Sequence, residues 1–507
     1  GNVLANGGGT VAFANGANAL FEPGNTVMLG ANGTLTSAGV LAPGGVGTVQ
    51  ATALTGNYVQ TATGAFDVDV HVGGASDVLN VSGNANLSGT IVPNVLSLAP
   101  SSAPITVLTA AGGVSDSNLS VVQSPFFNWG LDVSSNAVAI SIDGVHYAFP
   151  QLNGNQNAIG THFENAWASG NLGGLGPLMT YLSTLDPRTS YAQALDHLSP
   201  GSYLASATPL MLTQVDFTNS LFSCYSPVGE HYQGAEMPCT WSRALGQSDQ
   251  QAYSSGTLGF TGSSQGIEGG QQRALGGGRF VDTALGYAHS SVAIDGNAST
   301  QANGVNAGIA WKQQSGATTF AQGVSVGYAW LSTLRAPLPG IAASSSSGSL
   351  NLDARAGISH VSNTGNFYLK PYANLDLLFV NRPPVSETDA GAVGLNMAAM
   401  NQVLGIGTPG IEIGGTFHRG DTMFRPYLNA SISAFTSDHW AIASTFQGSP
   451  AGVAPFVINS SFPGVLYRAY GGLQLSEKRL ILTLDYGLSL GSGYSSQAGS
   501  FKFDYKI

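Results

Sequence analysis

Phe320-Ala321-Gln322-Gly323-Val324-Ser325-Val326-Gly327-Tyr328-Ala329-Trp330 decides the fold. Phe320, Gln322, Val324, Val326, Tyr328 and Trp330 fall on one face. Ala321, Gly323, Ser325, Gly327 and Ala329 fall on the other. A period of two is that of a strand. It returns in Leu480, Leu482, Leu484, Tyr486, Leu488 and Leu490, set against Thr483, Asp485, Gly487 and Ser489. It returns again in Phe367, Leu369, Leu375, Leu377 and Phe379, set against Tyr368, Lys370, Tyr372, Asn374 and Asp376. The face opposite the large residues is mostly Gly, Ala and Ser with isolated charges. That suits a narrow filled or wet lumen better than a charged soluble surface.

The connections alternate in length. Those at residues 275–278, 313–316, 362–365, 418–421 and 476–478 read as short. Those at 336–347, 382–401 and 437–462 read as long. Short turns at one end and long loops at the other is the layout of an outer-membrane barrel. Residues 239–507 leave about 22 residues for each of about twelve strands with its connection, where ~9–11 cross a bilayer. The last strand turns Phe501, Phe503, Tyr505 and Ile507 outward and Lys502, Asp504 and Lys506 inward. Closing it against the first strand removes both exposed edges.

Composition agrees. Of 507 residues, only 8% are charged, 16 basic and 27 acidic, where soluble domains carry roughly 25%. Gly numbers 69 and the mean hydropathy is +0.12. The net charge of −11 argues against nucleic acid. No run of 18 apolar residues predicts a membrane helix. The chain opens at Gly1 without a basic, apolar leader, and is read as processed or as a fragment.

Upstream of the barrel the pattern changes twice. Residues 1–95 are short apolar runs, such as Thr10-Val11-Ala12-Phe13 and Thr26-Val27-Met28-Leu29, with turn dipeptides at Asn6-Gly7, Asn15-Gly16 and Asn32-Gly33. These fit the coils of a β-solenoid whose period is too degenerate to read. Residues 96–149, with Phe126, Phe127 and Trp129 ahead of an alternating run at 136–142, are the candidate cap. Residues 150–235 turn helical: Leu178, Tyr181, Leu182 and Leu185, then Tyr191, Ala194, Leu195 and Leu198, recur at three and four. Residues 203–223 predict one helix of about twenty residues, rich in Ala, Ser and Thr, with Asp216 its single charge. Residues 236–507 are the barrel.

Motifs of chemistry give way to structure. Gly323-Val324-Ser325-Val326-Gly327 matches a hydrolase nucleophile elbow, but Ser325 lies mid-strand. Gly405-Ile406-Gly407-Thr408-Pro409-Gly410 matches a dinucleotide fingerprint, but a strand follows where a helix is needed. Nine histidines form no metal-ligand pattern. Asp77 reads as a solvated turn aspartate, since no calcium-binding nonapeptide repeat surrounds it. No enzyme, cofactor or metal site is expected. Lumen charges are expected at Arg279 or Asp282, and at Lys370, Asp376, Arg425, Asp485, Lys502 and Asp504. Asp216, Lys370, Asp376, Arg425 and Asp485 are the candidates for contacts between helix and lumen.

The order of segments resembles the monomeric autotransporters of type V secretion. Leu41-Ala42-Pro43-Gly44, Leu54-Thr55-Gly56-Asn57-Tyr58 and Ser76-Asp77-Val78-Leu79-Asn80-Val81-Ser82-Gly83 are similar to the end of a pertactin-like passenger. Ala192-Gln193-Ala194-Leu195-Asp196-His197-Leu198-Ser199 followed by Tyr203 is similar to the linker. Thr240-Trp241-Ser242-Arg243, Ala284-Leu285-Gly286-Tyr287, Lys370-Pro371-Tyr372 and Arg425-Pro426-Tyr427 are similar to the barrel. The family usually ends in Phe or Trp, whereas this chain ends in Ile507.

The resemblance implies a right-handed parallel solenoid end, an autochaperone-like cap, a helix in the lumen and a twelve-stranded barrel. It implies insertion among outer-membrane lipid through the barrel-assembly machinery, which reads Phe501, Phe503, Tyr505 and Ile507. It also implies export and surface display of the N-terminal region by a monomer. That region is then an adhesin with a host or surface ligand. Cys224 and Cys239 would lie at the periplasmic junction, where disulfides form, tethering helix to barrel base. The alternatives are a passive pore with a periplasmic N-terminal domain, and a surface enzyme whose catalytic part lies outside this sequence.

Overall fold

The computed structural model describes residues 1–5, 9–228, 231–254, 256–294 and 297–507. The turn expected at Asn6-Gly7 lies outside the described residues. The chain falls into two compact units. One comprises residues 1–152, 156–195 and 447–454; the other comprises 153–155, 196–446 and 455–507.

The first unit begins as a solenoid with three parallel ladders. Along one of them Val3, Val27, Leu54, Val81 and Ala110 align, at separations of 24, 27, 27 and 29 residues. That spacing is the coil period, blurred in the sequence because each coil varies by a few residues. Val27, Leu54, Val81, Leu35, Tyr58 and Phe66 stack as buried columns between the ladders. The parallel order stops at Ala137–Val145, which runs antiparallel to both Ile105–Ala110 and Phe127–Val133. An antiparallel hairpin offers the next coil no parallel partner, so it caps the stack. Phe126, Tyr147, Phe149 and Tyr191 seal that end with edge-on and tilted ring contacts.

Asp77 corrects its sequence reading. It is buried, not solvated. Its carboxylate accepts from the Gln50 N–H at 2.6 Å and the Asp69 N–H at 2.9 Å. Asp69 in turn accepts from the Thr48 N–H and Asn94 Nδ2, each at 2.6 Å. The two acids clasp the loop ahead of the Ala51–Thr55 strand. Burial pushes the Asp77 carboxyl up to about 6, against the pull of its two N–H donors.

The helical region holds Gly154–Ala168, Gly176–Leu182 and Ser190–Leu198, then Gly201–Ala205 and Ala207–Ser220. The single helix expected over 203–223 is thus two, broken at Ser206. Pro209 accounts for the break. It has no N–H to donate to the Ala205 carbonyl four residues back, and its ring crowds that carbonyl.

The second unit is a closed antiparallel barrel of twelve strands. In order they are Cys239–Gln251, Phe260–Gly276, Arg279–Ile294, Ala298–Ser315, Thr318–Leu338 and Ile341–His360, then Phe367–Arg382, Met400–Gly415, Thr422–Phe435, Val465–Glu477, Leu480–Gly491 and Tyr494–Lys506. The first and last strands pair along their whole length, from Cys239 with Lys506 to Gln251 with Tyr494. Leu285, Val324, Trp330, Leu375, Leu484 and Phe501 are exposed outward as the alternation requires.

The loops differ from expectation at one end. Residues 336–347 are not a long connection: Thr318–Leu338 and Ile341–His360 continue pairing to Leu338 with Ile341. The serine run at 344–347 reads as a loop by composition, yet its residues keep the ladder. The other two long connections fold as well. Val385–Ser386, Leu395–Met397, His439–Phe446 and Phe456–Ser461 make a separate four-stranded sheet.

Candidate functional site

The lumen is occupied by the helix Ala207–Ser220, named here the pore helix. It packs against the strands Ala298–Ser315, Thr318–Leu338 and Ile341–His360. It is held at both ends. At the long-loop end, Arg382 lies over the Tyr203 ring at 4.1 Å and donates to the Tyr203 carbonyl and to Ser206 Oγ. Trp440 Nε1 donates to Thr208 Oγ1 at 2.9 Å. At the short-turn end, Phe217, Leu221 and Phe222 form one buried cluster with Trp241, Ala284 and Ala310.

Glycines of the wall make room for these large side chains. A Cβ on Gly286 would stand 3.0 Å from the Phe217 ring. One on Gly308 would stand 2.7 Å from Leu221 Cδ1, and one on Gly323 3.1 Å from Phe222. The sequence reading placed small residues both on the helix and on the lumen face of the strands. The structure places the decisive ones on the barrel. Alternation marks these glycines as lumen-facing, but nothing local says which helix side chain each receives.

Asp216 pairs with Arg468 at 3.3 Å, a partner the sequence reading did not single out. Asp376 binds Arg355, which also donates to Asn219 Oδ1 at 3.1 Å and to the Val215 carbonyl at 3.3 Å on the helix. Lys370, Arg425 and Asp485 line a chamber of about 350 Å³ beside the helix, together with Asp216, Asn219, Arg355 and Arg468. There Arg425 pairs with Glu412 at 3.0 Å and donates to Gln474 Oε1 at 2.8 Å. Lys370 sits in register with Glu412, and the Tyr427 hydroxyl donates to Asp485. Of the pair Arg279 or Asp282, Asp282 is the one buried inside.

At the base, Cys224 and Cys239 are joined, with Cα atoms 6.3 Å apart. The bond ties the end of the helical segment to the first residue of the first barrel strand. Around it, buried Lys312 pairs with Glu236 at 3.2 Å and Lys502 with Asp504 at 2.6 Å. Replacing both cysteines by serine is expected to lower the barrel's stability by about 3 kcal/mol, the loop-closure value for fifteen residues. Melting both forms under non-reducing conditions checks it, and equal midpoints would contradict it. Phe501, Phe503 and Tyr505 face outward and are exposed on the last strand, and Ile507, just past its end, is exposed too.

Residues 240–487 match the family model described as autotransporter beta-domain. Among solved structures the chain is similar to the translocator domain of autotransporter NalP from Neisseria meningitidis. The identity is 12%, over 61% of this chain and 100% of that one, with a TM-score of 0.48. It is similar to the beta domain of the Bordetella autotransporter Brka at 13% identity, over 54% and 100%, with a TM-score of 0.41. It is similar to the transport unit of the autotransporter AIDA-I from Escherichia coli at 12% identity, over 58% and 98%, with a TM-score of 0.40. No curated protein matches the chain.

Proposed function

We propose that the barrel, whose residues 240–487 match the autotransporter beta-domain model, carries the preceding part of its own chain across the outer membrane and displays it at the cell surface. The observation that supports this reading is the direction of the pore helix. Its C-terminal end lies at the short-turn mouth beside Trp241, and its N-terminal end lies at the long-loop mouth beside Arg382 and Trp440. The residues just ahead of Gly201 therefore stand at the long-loop mouth. Long loops face outward in barrels of this class.

The exported segment suits the path. The first Lys or Arg of the chain is Arg188, so the solenoid and cap cross without a cation. Stacking coils outside buries apolar columns and biases motion outward without a nucleotide. An adhesive or structural role fits the solenoid end best, since its buried acids Asp69 and Asp77 are engaged in holding a loop. The passive-pore alternative needs an open lumen, and the pore helix fills one side of this one.

External protease on intact cells expressing the chain tests the reading. Residues 1–148 are expected to be lost while the barrel fragment survives. Protection of residues 1–148 until the outer membrane is broken would overturn export and favour the passive pore.

A further inference from the structure

Residues 1–242 contain a single Lys or Arg, Arg188. The next is Arg243, in the first barrel strand. Arg188 is exposed, in the turn between the helices Gly176–Leu182 and Ser190–Leu198. Its guanidinium has no hydrogen-bond or ion-pair partner among the described residues. The exposed basic residues of the barrel, Arg273, Arg279, Arg419, Lys478 and Arg479, all stand at the short turns. Its other basic residues are buried or half-buried on the strands.

The turn at Arg188 is held by local bonds. Asp186 Oδ1 accepts from the Arg188 and Thr189 N–H groups at 2.8 and 3.1 Å, and from the Thr189 hydroxyl at 3.2 Å. The Asp186 N–H donates to Ser190 Oγ at 3.0 Å. Asp186, Arg188, Thr189 and Ser190 are all exposed, so opening the turn uncovers little apolar surface. Exposed polar turns of this kind are where proteases nick a folded chain.

We propose that the Arg188–Thr189 bond is a processing site for a surface protease with an acidic specificity pocket, and that the cut leaves residues 1–188 docked. A carboxylate in that pocket pairs with the Arg188 fork. Hydrolysis breaks the bond between the Arg188 carbonyl carbon and the Thr189 nitrogen. Water gives its hydroxyl to the carbon and a proton to the nitrogen. The site's place at the cell surface rests on export; the cut and the docking do not.

Docking follows from contacts inside the first unit that the severed bond does not carry. Just past the cut, Tyr191 is buried, with ring centroids of Phe126 and Phe149 at 5.0 and 5.7 Å. Its hydroxyl donates to the Tyr147 carbonyl at 2.6 Å. Gln156 Nε2 donates to the Ala192 carbonyl at 3.2 Å. Residues 447–454 belong to the same unit. There His162 Nδ1 meets the Ala454 carbonyl at 2.9 Å and its Nε2 meets Ser449 Oγ at 2.8 Å. The Gly174 N–H donates to the Gly448 carbonyl at 2.7 Å.

Trypsin, which cuts only after Lys and Arg, is added to the full chain purified in detergent and to intact cells expressing it. It leaves the solenoid whole, where a protease of broad specificity does not. The expected result in both is one fragment ending at Arg188 and one beginning at Thr189, identified by mass. The two are expected to elute together from a sizing column and to part in urea. Arg188→Gln is expected to abolish the cut. Asp186→Ala is expected to speed it about fivefold, since the turn loses its cap and cutting follows the opened population. Tyr191→Ala combined with His162→Ala is expected to free residues 1–188 once cut. No cut at Arg188 in the purified chain, a cut fragment that leaves without denaturant, or retention in the double variant would overturn the proposal. A cut in the purified chain that intact cells withhold would overturn export and leave the site standing.

Discussion

Leu484→Arg is expected to cost the barrel about 2–4 kcal/mol, the range for a cation on the lipid face near the bilayer midplane. Leu484 lies near the middle of Leu480–Gly491 and is 62% exposed. It stands in register between Leu473 and Phe501, themselves exposed on the same outer face. An arginine there has no water and no partner, and its stem is too short to carry the charge to either interface from mid-strand. Ser489→Arg on the same strand points into the polar chamber. It is expected to change stability by less than about 1 kcal/mol. Equilibrium unfolding of both variants in lipid vesicles makes the comparison. Equal losses would mean that the outer face does not meet lipid.

Gly308→Leu is the second large effect. A Cβ at this position already stands 2.7 Å from Leu221 Cδ1 and 3.2 Å from Ser325 Cβ. A full leucine must push Leu221 and its neighbours Phe217 and Phe222 off the wall. Overpacking alone costs about 1–3 kcal/mol, and burial of the three displaced side chains is lost as well. The helix is then loosened at the short-turn mouth, and ion conductance across a planar bilayer is expected to rise. Gly246→Leu is the control, since a Cβ there meets nothing within 4 Å. If Gly308→Leu conducts like the control, the helix does not seal the lumen through this contact.

Much of the fold was legible because strand alternation is local. Phe320 to Trp330 declares its two faces without help from any other segment, and so does Leu480 to Leu490. The closure of the last strand on the first follows from the cost of free edges. Helical spacing around Leu178 and Tyr191 marks real helices. The break at Ser206 was legible too, had Pro209 been weighed against the length of the run.

The candidate site was legible only in part. Period two says that Gly286, Gly308 and Gly323 face inward. It does not say that they meet Phe217, Leu221 and Phe222, because that pairing depends on where a separate helix rests against the wall. The same holds for Asp216 with Arg468, 252 positions apart. Asp77 looked like a surface residue because a single aspartate in a Ser-Asp-Val turn carries no sign of burial. Only the coil below and the loop beside it make it a clasp.

The sequence by itself determined the barrel, the alternation of its strands and the place of the helix ahead of them, since each rests on a pattern completed within ten or twenty residues. The tertiary structure decided what fills the lumen and how it is held: which glycine receives which side chain, which charges pair, and which loops fold into a second sheet. Those choices depend on register and on the seating of one element against another. They are set by contacts between separate elements, where packing density and the pairing of buried polar groups select one arrangement.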